Sequence, residues 1–149
     1  MSAGRALVQS VVDVFCAKVN LPARRLDEQG ALSLICDLEG MSVPVVLRYD
    51  DASRTLALSV PVARLRLDDP DELSVLRTAL VANLLGAGTG GLSFGWSPQE
   101  EHLHLGTSLE VEGLTPAIFE TAFSRLVRGA VHWRRQFHRE PRFSLLDAG

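Results

Sequence analysis

Apolar residues recur at helical spacing from the start of the chain. Between Ala3 and Val19, ahead of Asn20 and the break at Pro22, Leu7, Val8, Val11, Val12, Val14, Phe15, Cys16 and Val19 cover an arc of about 200° at about 100° per residue. Gln9, Ser10, Asp13 and Ala17 face the other way, with Lys18 intruding on the apolar side. A helix lying on one sheet needs about half that width. The excess predicts either a second contact, with a partner chain or a bound segment, or a helix sunk deeper into its own core.

Three strands are predicted next. Leu32, Leu34, Cys36 and Leu38 alternate with polar residues up to a Glu39-Gly40 turn; Val43, Val45, Leu47 and Tyr49 share one face of the second strand, and Leu56, Leu58, Val60 and Val62 one face of the third. Pro44 and Pro61 donate no ladder hydrogen bond, which assigns them to strand ends or open edges, where another strand can add. Asp69 as N-cap, Pro70 at the first position and Glu72 reaching back then open a second helix, which runs to about Leu85 and stops at Gly86. Its second half, from Ala79 to Leu85, is apolar on nearly every side and has to be covered on two faces. Leu92, Phe94 and Trp96 alternate as a fourth strand, and Leu103 and Leu105 mark a fifth. Thr115 and Pro116 start a last helix, with Leu114 and Phe119 as its staple and Phe119, Ala122, Phe123, Leu126, Ala130, Trp133 and Phe137 as its buried stripe. The order α-β-β-β-α-β-β-α predicts an α+β fold with a twisted antiparallel sheet of about five strands and three helices. It forms one domain over 1–149, with 1–3 and 139–149 frayed.

Composition narrows the function. With 46% hydrophobic and 22% charged residues the 149-residue chain is globular rather than disordered. A net charge of −3 without a long basic run argues against nucleic acid as partner. No apolar run reaches the roughly 18–20 residues that span a bilayer, so no membrane insertion is expected, and the N-terminus lacks a signal peptide's features. Cys16 and Cys36 read as core thiols in a reducing compartment, and the expected location is the cytoplasm.

Few residues offer chemistry. Gly86-Ala87-Gly88-Thr89-Gly90-Gly91 matches the letters of a dinucleotide-binding loop, the basis of an alternative reading as a nucleotide-dependent enzyme. That loop needs a strand before it and a helix after, whereas here the order is reversed and an anion would meet a helix C-terminus. A tight corner is the better reading. His102 and His104 project from one face of the fifth strand, but sequence spacing places no third metal ligand beside them, and with Leu103 and Leu105 inward they read as the solvent side of a hairpin. No serine or cysteine sits in a nucleophile elbow. The acidic residues Asp68, Asp69, Asp71 and Glu72 read as a cap and its solvated turn, and the six arginines from Arg125 to Arg142 as mostly a solvated face. No catalytic residue, cofactor or metal ligand is therefore assigned, and an enzyme is not expected.

Leu80, Asn83-Leu84-Leu85-Gly86 and Gly88-Thr89-Gly90-Gly91, leading to Leu92, Phe94, Gly95 and Trp96, resemble the central signature of class I type III secretion chaperones, the CesT-like or Tir chaperone family. The hairpin through Leu103-His104-Leu105 and the last helix with Phe123, Leu126 and Trp133 fit the same layout. The resemblance spans roughly residues 4–137, is sharpest from Leu76 to Trp96, and departs in the arginine-rich C-terminus. It implies a cytoplasmic bacterial homodimer that holds the N-terminal segment of a secreted virulence effector extended, without ATP, with the ATPase of the secretion apparatus as a further partner. By position it places Leu80, Leu84, Phe94 and Trp96 at the dimer interface, and Leu7, Val11, Phe15, Leu32 and Leu34 near the effector groove. A regulatory protein of the same fold that binds a folded partner is the alternative.

Overall fold

The computed structural model describes residues 2–86 and 88–137. Helix α1 (Ala3–Val19) is followed by strands β1 (Ala31–Leu38), β2 (Met41–Asp50) and β3 (Thr55–Arg64), helix α2 (Pro70–Asn83), a 3-10 turn (Leu84–Gly86), strands β4 (Ser93–Ser97) and β5 (His102–Glu110), and helix α3 (Pro116–Phe137). The fold is α+β, with all pairings antiparallel and the strands in the order β1-β2-β3-β5-β4. Strands β1 and β4 are thus the two edges.

Local chemistry accounts for the boundaries. Ser2 opens α1, its Oγ accepting from the Arg5 N–H at 3.1 Å, so residues 2 and 3 belong to the cap and first turn. The expected fraying at 139–149 lies outside the described residues. Asp69 caps α2 by accepting from the Asp71 N–H at 2.9 Å, and Thr115 Oγ1 caps α3 by accepting from Ile118 N–H at 3.2 Å. Glu39 and Gly40, both at positive φ, make the two-residue turn that joins β1 to β2.

The inner face of the sheet carries the alternating residues that the pattern predicts: Val43, Val45, Leu47, Tyr49, Leu56, Leu58, Val60, Val62, Leu103 and Leu105 are all buried. Helix α3 crosses this face, and α1 packs beside it, with the Phe15 ring 5.2 Å from Phe119 and 4.6 Å from Phe123. No described helix is long and apolar enough to cross a membrane.

Three polar side chains read as solvent-facing are instead buried. Gln9 turns inward because the segment after α1 folds back over it. Its Nε2 donates to Arg24 O at 2.8 Å and to Asp13 Oδ1 at 2.9 Å, and its Oε1 accepts from Leu26 N–H at 2.9 Å. Glu72 is also buried, where α2 meets the body of the domain. Arg134 departs furthest from a solvated arginine face. The β2–β3 ladder stops at Val46 and Ser59, and β3 carries a bulge between Pro61 and Ala63, so the two strands diverge. Pro44 and Pro61 sit just beyond that divergence, where a missing N–H leaves no gap in a ladder. Arg134 fills the split: Nε and Nη2 donate to Pro61 O at 3.1 and 3.0 Å, and Nη1 to Ser42 O at 3.0 Å.

Candidate functional site, an apolar cleft beside an open strand edge

Strand β1 is an edge whose outer backbone pairs with no other described strand. Ala31 turns its backbone away from β2, since its N–H donates to Asp27 Oδ1 at 2.9 Å and its C=O accepts from Asp27 N–H at 2.8 Å. Antiparallel pairing alternates, so Ser33, Ile35 and Asp37 also point their N–H and C=O outward along this edge. The register agrees: Ile35 lies opposite Pro44, which has no N–H to give it. Ile35 is 55% exposed on the outer face.

Next to this edge, on the inner side, lies a cleft of about 430 Å³ between the end of α1, β1 and the middle of α3. Phe15, Val19, Leu21, Leu38, Phe123 and Val127 form most of its wall. Cys36 also lines it, and burial, with Asp37 nearby, pushes its thiol pKa up, so it stays a protonated, weakly polar wall rather than a nucleophile. The rim is polar: Lys18 Nζ bridges α1 to α3 by donating to Glu120 Oε2 at 2.7 Å. An extended segment added to β1 would send alternate side chains into this cleft.

Of the five groove residues expected from the sequence, Phe15 lines the cleft with its body packed on Phe119 and Phe123, and Leu7 is 38% exposed farther along α1. Val11, Leu32 and Leu34 are buried in the hydrophobic core. Val19, Leu21, Leu38, Phe123 and Val127 were not assigned to the groove by sequence. Each carries an apolar signal there, but only the crossing of α1 and α3 brings them together.

The β4 edge is tied down at Phe94. Asn83, at the end of α2, acts as a substitute strand residue: its Oδ1 accepts from Phe94 N–H at 2.7 Å, and its Nδ2 donates to Phe94 O at 3.1 Å. The glycine corner between α2 and β4 makes this return possible. Gly91 N–H donates to Gly86 O at 3.2 Å, and a Cβ on Gly88 would lie 2.8 Å from the Ala82 Cα, so only glycine lets the loop pass the helix. The glycines therefore act in packing.

Leading into that corner, the end of α2 and the 3-10 turn present an apolar surface. Leu80, Val81 and Leu84 are 60%, 74% and 69% exposed. Phe94, expected beside them, has 8% of its surface left: its ring is 5.1 Å from Trp133 and 6.2 Å from Phe137, within the core of the same chain. Trp96 is half-buried, and its indole N–H has no acceptor among the described residues.

A second concavity, about 640 Å³, lies on the outer face of the sheet and includes Pro44, Val46, Pro61, Trp96, His102 and His104. Burial holds His104 below its ordinary pKa, against the opposing influence of Glu100.

The model of the Tir chaperone protein (CesT) family matches residues 10–134 of this chain. No curated protein sequence matches it. Among solved structures, a chain of the ExsC–ExsE complex is similar with a TM-score of 0.73 at 24% identity, covering 91% of this chain and 96% of that one. A chain of the HopA1–SchA chaperone–effector complex gives 0.66 at 18% identity, with 91% and 98% covered. A chain of the ExoT–SpcS complex from Pseudomonas aeruginosa gives 0.58 at 17%, with 85% and 96% covered. At these identities the likeness is one of fold.

Proposed function

Since the chain belongs to the Tir chaperone (CesT) family, we propose that it is a cytoplasmic type III secretion chaperone that holds the N-terminal segment of an effector extended. The observation that carries this reading is the pairing of an outward-facing β1 backbone with an apolar cleft on the same edge. Backbone hydrogen bonds would supply affinity without sequence preference, and the cleft would select apolar side chains at alternate positions. Each anchor fully buried there contributes on the order of 1.5–3 kcal/mol, so several are needed to oppose the entropy of ordering the segment. Nothing in this scheme needs ATP; binding energy alone keeps the segment extended. The solved complexes of similar fold include a chaperone with its effector, which supports the same kind of partner here.

We place the dimer contact on α2. Leu80, Val81 and Leu84 form an exposed apolar patch of the kind that a second copy of the chain covers. Phe94 is tied to the end of α2 through Asn83, and the half-buried Trp96 is assigned to the same contact. Contact with the secretion ATPase belongs to the same proposal and is tested with the loaded complex.

The deciding experiment is limited proteolysis of the complex purified from the native cytoplasm, with protected fragments identified by mass spectrometry. The proposal expects two copies per client and protection confined to a client segment near its N-terminus. Protection of a whole folded client domain would favour the regulatory alternative. A chain carrying a bound nucleotide and no protein client would reject the chaperone reading.

A further inference from the structure

The β4–β5 turn supplies the donor that sequence spacing does not place beside the two histidines. Glu100 stands in that turn, and its Oε2 lies 3.4 Å from His102 Nδ1 and 3.4 Å from His104 Nε2. One ligand atom from each of the three residues falls within 4.8 Å of the others. From the geometry we infer that Glu100, His102 and His104 form a zinc site on the outer face of the sheet, separate from the cleft and the α2 patch.

The separations lie within the reach of an ion pair and also fit two ligands of one shared ion. Charge-assisted N–H···O bonds close to about 2.7–2.9 Å. Two donors held about 2.0–2.2 Å from one tetrahedral zinc ion stand about 3.4 Å apart. Both observed separations match the second figure. The donors are two imidazoles and one carboxylate, a set that suits zinc, whereas calcium and magnesium take oxygen donors. Three protein ligands leave one tetrahedral position for water or for a donor from a bound partner.

The backbone holds the three residues in place. His102 and His104 are two apart on β5 and share its outer face, with ring centroids 6.0 Å apart. His104 Nδ1 is buried, so Nε2 is the nitrogen presented to the cluster. The turn is anchored to the end of β3, since Leu65 N–H donates to Glu101 O at 2.7 Å. A bound ion would therefore clasp the β4–β5 turn to the sheet, and the inference does not depend on client binding.

The test is titration of the full-length, untagged, chelator-stripped protein with zinc chloride by calorimetry, with calcium chloride as the control. One zinc per chain and no heat from calcium are expected. Glu100→Gln, at an exposed turn position that leaves the fold intact, should weaken zinc binding by about 10-fold or more, as should His104→Asn. His132→Asn, on α3, should bind as the parent does. Absence of saturable zinc binding in the parent protein, or parental affinity in Glu100→Gln, would overturn the site.

Discussion

The guanidinium of Arg134 stands where two neighbouring strands separate, and it supplies donors that a continuous ladder would have provided. Removing it takes those charge-assisted donors from the part-buried carbonyls of Ser42 and Pro61, at about 1–3 kcal/mol each. Arg134→Met is therefore expected to destabilise the chain by about 2–5 kcal/mol, measured by urea unfolding. Arg134→Lys keeps the charge but cannot span both carbonyls, and should fall between the two. Asn83 makes a comparable repair at the opposite edge. Asn83→Ala frees the backbone of Phe94 and should cost about 1–3 kcal/mol; amide exchange at Phe94 should rise with it. Neither role was legible beforehand. An arginine in an arginine-rich helix, or an asparagine near a helix end, carries no local mark of the backbone it will meet.

At the scale of elements, periodicity did most of what it promised. The inner faces of β2 and β3 follow strict alternation because one side of the sheet is covered by α1 and α3. The wide apolar arc of α1 resolves into a buried side through Val8, Val12 and Cys16 and an exposed remainder at Leu7, Val14 and Val19. Val19, 41% exposed on the cleft wall, is the residue with which to test the groove. Val19→Asp should leave the fold intact and weaken client binding by about the 1.5–3 kcal/mol of one anchor, read by calorimetry with the co-purified client. Unchanged affinity would reject the cleft. Val11→Asp would be a poor substitute, since a charge there enters the core. Cys36 offers a chemical readout. Because burial raises its thiol pKa, alkylation should be slow at neutral pH and quicken as rising pH produces thiolate. A bound client should suppress it further.

For the whole molecule, the exposed apolar surface of α2 sets the expected assembly. Leu84→Asp, alone or with Val81→Asp, should convert a dimer to a folded monomer in light scattering, because a charge on that patch cannot be desolvated against a second copy. Phe94→Asp would not isolate the same effect, since Phe94 packs on Trp133 and Phe137 within one chain. Element order, helix caps, the Glu39-Gly40 turn and the inward faces were determined by the sequence alone, because each rests on residues a few positions apart. The glycine run was also readable as a corner, since its place between a helix and a strand lacks the strand-before, helix-after context that an anion site needs. Tertiary structure alone decided the rest: that β1 leaves an outward backbone beside the cleft while Asn83 ties down β4 at Phe94, that α1 and α3 cross to make the cleft, and that a turn brings Glu100 to the two histidines. Each of these joins groups distant in sequence or reached only through a turn, and no local period encodes which of them will meet.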